Sequence, residues 1–299
     1  MASETYDKLM NDYHYNPGSY TDYPGGNDNL KLLARLDWNI NDNNKLMFRF
    51  NRTTNTQWYE PNGNSCDDNF RNKSFNRSSD RSFPFSNNMY SQQNNVTSFA
   101  TELNSRFSTQ LSNQLLFTYT DINDQRGSNS SIFPHIDIMS GYADLQEYGN
   151  FVPFTSFGYE LFTYNNGVKN KVMNATDNLT YYAGNHKITA GINWERQTAS
   201  NSYMRNGTGY YRFASVDDFL TGARPLSFAL CVGNNGVENP AGIVTYNQFG
   251  VYAQDDWNIT DNFKLNYGIR ADAMMFDESD LMTNNAILDY NMGGNVVNT

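Results

Sequence analysis

Apolar residues in this chain come singly, at every second position of a few long stretches. In residues 246–273 the first arm puts Phe249, Val251, Ala253, Asp255, Trp257 and Ile259 on one face. Gln248, Gly250, Tyr252, Gln254, Asp256 and Asn258 take the other. After an Asx turn at 261–262, Leu265, Tyr267, Ile269, Ala271 and Ala273 alternate with Lys264, Asn266, Gly268, Arg270 and Asp272. A period of two through both arms predicts β-strands whose faces meet different surroundings, joined as a hairpin.

The same pattern predicts three earlier hairpins, at about 29–52, 96–122 and 174–197, besides the one at 246–273. The first sets Leu30, Leu32, Ala34, Leu36, Trp38 and Ile40 against Lys31, Arg35 and Asp37, and returns through Leu46, Phe48 and Phe50. Its phrase DWNINDNNKL is repeated as DWNITDNFKL at 256–265. Tight turns fall near 42, 112, 184 and 261. Between them lie stretches rich in Asn, Ser, Gly and Tyr, at 53 to about 95, about 123–170 and about 198–245, which read as long loops. Residues 1–28 and 274–299 read the same way. Short turns at one end and loops of roughly 40 residues at the other are the asymmetry of outer-membrane barrels.

Composition suits a membrane barrel and a soluble all-β protein equally. The mean hydropathy of the 299 residues is −0.69; 38% are hydrophobic, yet 15% are aromatic. That suits a sheet in which only alternate residues touch lipid. Strands of about ten residues span roughly 33 Å, and tilted by ~40° they give the expected apolar band of about 25 Å. Trp38, Phe107, Tyr181 and Trp257 are placed for an aromatic girdle at the tight-turn end. Asp255 falls on the apolar face and is expected at the headgroup boundary. The fold expected is therefore all-β: an antiparallel transmembrane β-barrel, with residues 1–299 a barrel portion and no plug domain. A soluble β-rich carbohydrate-binding module is the alternative. Net charge −10 makes nucleic acid an unsuitable partner. The N-terminus MASETYDKLM lacks the basic and apolar segments of a secretory signal. Because a barrel must cross the inner membrane, the chain is expected to be a fragment, a mature form or an engineered form.

The stretch YAQDDWNITDNFKLNYGIRAD (252–272) resembles a late-barrel signature of TonB-dependent outer-membrane receptors. FPHIDI (133–138), DNLTYYAGNHKITAGINWE (177–195) and DDFLTGARPLSF (217–228) resemble their Oar-like branch, which carries an N-terminal carboxypeptidase-regulatory-like domain. The likeness runs through most of 29–273. It implies a Gram-negative outer-membrane location and a 22-stranded barrel with short periplasmic turns and long extracellular loops. It also implies a plug energised by the TonB complex, and leaves room for a surface lipoprotein partner. The chain departs from that pattern in showing about eight strands, no plug, no TonB box and no terminal strand, so a mid-barrel portion is expected.

Enzyme templates find no match. His14, His135 and His186 are scattered, without the spacing of HExxH, and neither GxSxG nor a phosphate loop occurs. No catalysis, metal or cofactor is expected; Asp67–Asp68 lack the EF-hand spacing and read as a solvated acidic loop. Cys66 and Cys231 lie in long loops on one side of the membrane, where a disulfide between them is plausible. The inward charges Lys31, Arg35, Asp37, Lys45, Arg49, Glu102, Arg106, Lys264, Arg270 and Asp272 alternate in sign and read as wet lumen residues. Candidates for ligand contact are the aromatic loop residues Trp58, Tyr59, Phe133, Tyr159, Phe162, Tyr164 and Phe228, with His135. Such rings supply rigid contact area for a sugar, a peptide or a protein, or else pack the loops together. Uptake of a bulky nutrient across the outer membrane is the leading reading; display of loops as an adhesin or assembly partner is the alternative.

Overall fold

The structure, a computed structural model, describes residues 1–61, 77–141, 153–233, 238 and 241–277. Numbered along the chain, its strands form two sheets. The larger has eight: β1 (Asn27–Asn41), β2 (Asn44–Tyr59), β4 (Tyr90–Arg106), β5 (Leu111–Ser128), β8 (Gly167–Ala183), β9 (His186–Ser202), β12 (Gly242–Thr260) and β13 (Phe263–Phe276). Each is antiparallel to the strand before it. The smaller has five: β3 (Phe83–Pro84), β6 (His135–Met139), β7 (Pro153–Phe157), β10 (Tyr210–Phe213) and β11 (Ser227–Ala229). Among the described residues the large sheet does not close on itself: β1 and β13 are its edges.

Side chains shape the tight turns. Asn41 Oδ1 accepts the Asn43 backbone N–H and Asn44 Nδ2, both at 2.9 Å. Ser108 Oγ accepts the N–H groups of Gln110 and Leu111 at 3.1 and 3.0 Å. The repeated DWNI phrase carries one irregularity twice. Register shifts between Asn39 and Asn41 on β1 and between Asn258 and Thr260 on β12, which are equivalent positions of the repeat.

The apolar face of the large sheet is uncovered. Leu32, Phe48, Ile192 and Ile269 are 50, 45, 60 and 78% exposed, so no second layer makes a dry sandwich core with them. The band has aromatic residues at both rims. Trp38, Phe107, Tyr181 and Trp257 lie toward the tight turns, and Phe50, Phe99 and Tyr119 are aligned across three strands at the other rim, with Trp194 opposite Phe249. The ladders then continue beyond this rim through polar residues, such as 52–57 of β2 and 123–128 of β5. Thr and Asn complete backbone pairing there without any apolar alternation to reveal it.

The opposite face is polar and concave, with a basin of about 700 Å³ lined from β2 to β12 by groups including Lys45, Asn104, Gln114, Lys187 and Gln254. Several inward charges pair within one strand. Arg35 grips Asp37 through two bonds of 2.7 and 2.8 Å, and Arg270 grips Asp272 likewise at 2.6 and 2.8 Å. A continuous row crosses five strands. Arg270 lies 5.2 Å over the Tyr252 ring, Tyr252 lies across Gly191 and donates to Asn178, and Asn178 Nδ2 donates to Gln114 at 3.4 Å.

At the long-loop end the connections are not the featureless loops read from sequence. Residues 1–28 begin with helix α1 (Ala2–Asn11), and a second helix, α2 (Val216–Thr221), is capped by Ser215 Oγ at its start and by Gly222 in the left-handed region at its end. These helices and the small sheet share a core of Leu9, Tyr15, Phe85, Ile138, Phe157 and Phe219. All five residues of β6 are buried, so this strand shows no alternation. The largest dry core among the described residues therefore lies in the connections between barrel strands.

Candidate functional site

Two features stand out in the loop layer: a buried polar knot and an open aromatic recess. The knot is centred on Asp137 in the middle of β6. Arg77 reaches it with Nε to Oδ1 at 2.8 Å and Nη2 to Oδ2 at 2.7 Å. Ser156 on β7 and Tyr210 on β10 each donate a hydroxyl at 2.8 Å, and His135 Nε2 lies 3.2 Å away. Arg212 donates to the Tyr210 hydroxyl at 3.0 and 2.9 Å. Asn88 Nδ2 contacts His135 Nδ1 and the Gly158 carbonyl, both at 2.9 Å. All of these side chains are buried. Burial alone would raise the Asp137 carboxyl; the charge of Arg77 and the surrounding hydrogen bonds outweigh it and hold the group well below the usual carboxylate range. With both oxygens saturated by donors, Asp137 ties separate loops together and has no lone pair free for a ligand.

Gly158 lets the connection after β7 lie flat on this knot. Its φ is +92°, and a Cβ there would sit 1.9 Å from the Pro134 carbonyl oxygen.

The recess opens where the tops of β5, β8 and β9 meet the loops. It has a volume of about 230 Å³, and its walls include Arg126, Tyr159, Tyr164, Asn165, Asn166 and Ser202. Tyr159 and Tyr164 meet edge-to-face at 6.0 Å. Burial pushes the Tyr159 phenol up, Tyr164 and Glu160 adding to it. Arg126 stacks 4.3 Å over Tyr90, and its Nη1 lies 3.5 Å from Glu160 Oε2. That oxygen also accepts the Phe162 N–H at 3.0 Å and the Thr163 hydroxyl at 2.6 Å. The exposed surface of this wall is mostly polar, and it offers donors and acceptors for hydroxyl or amide groups beside the two tyrosines.

The residues singled out from sequence divide accordingly. Tyr159 and Tyr164 line the recess; Phe162 packs nearby, stacked on Tyr203 at 6.2 Å. Phe133 stacks on Tyr15 at 4.0 Å in the core, and His135 is in the knot. Trp58 and Tyr59 end β2, Tyr59 against Tyr90 at 5.4 Å. Phe228 is exposed on the edge strand β11, 4.8 Å from Tyr211. Cys231 is exposed; Cys66 and Asp67–Asp68 lie outside the described residues. Sequence reasoning missed Arg126, Asn165, Asn166 and Ser202. The signal for Arg126 was the pairing of β4 with β5, which sets Gln92 opposite it.

An uncovered apolar belt between aromatic rims, backed by a polar concave face, defines an outer-membrane β-barrel wall. Residues 6–296 match the family described as the outer membrane beta barrel domain, and the chain belongs to that family. It is an outer-membrane protein of Gram-negative type, which excludes the soluble module. Among curated proteins there is no match. Of solved structures, the outer membrane transporter YddB from Escherichia coli is similar at 14% identity and TM-score 0.51, over 83% of this chain and 27% of that one. The ferric-catecholate import receptor Fiu from E. coli K12, in its open form, gives 14% identity and TM-score 0.46, over 87% and 39%. The copper transporter OprC gives 9% and 0.44, over 84% and 29%. The chain thus spans between about a quarter and two-fifths of these structures.

Proposed function

We propose that this chain is part of the wall of a TonB-dependent outer-membrane transporter, which takes up a bulky polar nutrient such as an oligosaccharide or a peptide. The eight strands are a mid-barrel section of a 22-stranded barrel; further strands pair with β1 and β13, and a plug couples the barrel to the TonB complex. Tight turns face the periplasm and the loop layer faces outward. One observation carries the reading: a polar concave wall lies beneath a loop layer that has its own core and holds an open aromatic recess. The recess captures ring-bearing or amide-bearing ligands at the Tyr159–Tyr164 pair.

The test is accumulation of fluorescent oligosaccharides and oligopeptides by cells carrying the full-length gene. Accumulation should cease when TonB is deleted, and should fall with Tyr159→Ala/Tyr164→Ala at unchanged surface level. Accumulation indifferent to TonB would overturn the transport reading. Loss of cell–cell adhesion in its place would favour loop display.

A further inference from the structure

The outward face of β8 and β9 carries positive charge just beyond the apolar band. Lys171 and Lys169 follow Met173 on the outward side of β8, and on β9 Arg196 lies opposite Met173, one outward position past Trp194. Outward neighbours on one strand stand about 7 Å apart, and diagonal neighbours across strands about 7–8 Å. The three cations therefore fall within reach of one polyanionic group. Both lysines are exposed and Arg196 is half-buried. Among the described residues none of the three has an ion-pair or hydrogen-bond partner on its side chain. The facing acid, Asp121 opposite Lys171, brings one negative charge against the three positive ones.

One carboxylate cannot balance three cations, and the excess positive charge repels itself unless a further anion sits among them. Hydrocarbon lies directly below, so the anion at this height is a lipid headgroup. Trp194 marks the boundary, its indole N–H donating to Asn247 at 3.2 Å. On the same face, starting one strand away, Ala34, Leu36, Phe48, Phe99 and Phe117 line an apolar groove of about 360 Å³ that can seat an acyl chain. We propose that Lys169, Lys171 and Arg196 bind the phosphates of a phosphorylated glycolipid of the outer leaflet. The assignment rests on the loop end facing outward, as in the transport reading.

The test uses the full-length protein in detergent micelles, with diphosphorylated lipid A, its dephosphorylated form and phosphatidylglycerol as probes, and native mass spectrometry as the readout. Diphosphorylated lipid A should bind best, and K169Q/K171Q/R196Q should bind it on the order of 100-fold more weakly. The charge-preserving K169R/K171R/R196K should keep the affinity. Equal binding of the dephosphorylated lipid or of phosphatidylglycerol, or full binding by the glutamine variant, would overturn the site. If the glutamine variant loses heat-modifiable mobility, the comparison among lipids on the unmodified protein decides. Accumulation indifferent to TonB with lipid selectivity intact would count against the transport reading alone.

Discussion

His186 Nδ1 lies 2.6 Å from Asp255 Oδ2, on the membrane-facing side of two adjacent strands. The carboxylate can only accept, so the imidazole carries its hydrogen on Nδ1. The Tyr267 hydroxyl donates to the same oxygen at 2.9 Å, and the imidazole stacks on Trp257 at 5.1 Å. This acid of the apolar face thus belongs to a polar cluster drawn from three strands, close to the tight turns. Asp255→Ala should strip the histidine and the phenol of their shared acceptor in a place poor in water. The expected result is a fall of several degrees in the temperature at which the folded band disappears from gels, with His186→Ala adding little on top. An unchanged midpoint would show that the cluster is ornamental.

Tyr252 and Gly191 form a knob and socket on the polar face. A Cβ at Gly191 would stand 2.4 Å from Tyr252 Cζ. Gly191→Ala should therefore push the ring away and break its bond to Asn178, lowering the yield of folded barrel. Tyr252→Ala should itself be destabilising, yet should relieve Gly191→Ala. Destabilisation smaller than the sum of the two single effects, read by the same gel shift, is the signature of direct contact; additivity would refute it.

The loop layer should have its own pH limits. Asp137 is depressed in the folded state, so its contribution is present above the unfolded carboxyl value and is lost as pH falls below about 4. Tyr15 works at the other end: burial pushes its phenol up to about 12, against the hydrogen bond with Ser130. Its preference for the protonated fold is complete below the unfolded value, near 10, and fades as pH rises toward 12. Protease resistance of the loops should hold between those limits and fail outside them. Asp137→Asn takes the negative charge out of the buried pair with Arg77, at a cost of about 3–5 kcal/mol. It should make the loops protease-sensitive even at neutral pH.

What the sequence revealed was set by environment. Alternation is readable wherever one face meets hydrocarbon and the other water, as from Leu30 to Ile40. Past the rim both faces meet water, so 52–57 kept the ladder and lost the code. Short strands of the loop layer are legible only through partners far along the chain: Asp137 meets Arg77 and Tyr210, 60 and 73 residues away. Helix α2 was within reach, because SVDDFLTG has a Ser cap, early acids and a closing Gly. The recess needed both kinds of information. Tyr159 and Tyr164 advertised themselves as aromatic residues, whereas Arg126 and Ser202 acquire meaning only from strand register.

The two layers have separate supports, and Gly158→Ala should part them. The substitution places a methyl 1.9 Å from the Pro134 oxygen at a φ of +92°, where side chains are strained in any case. Relief requires the connection to lift from His135, which loosens the knot around Asp137 and then the core containing Phe157. Nothing in the large sheet's ladder depends on that core: the hydrogen bonds of β4, β5 and β8 run from strand to strand. Gly158→Ala protein should therefore keep its heat-modifiable gel shift while its loops become cleavable, and uptake through the Tyr159–Tyr164 recess should fall with them. Simultaneous loss of the gel shift would mean that the loop layer and the membrane sheet fold as one unit.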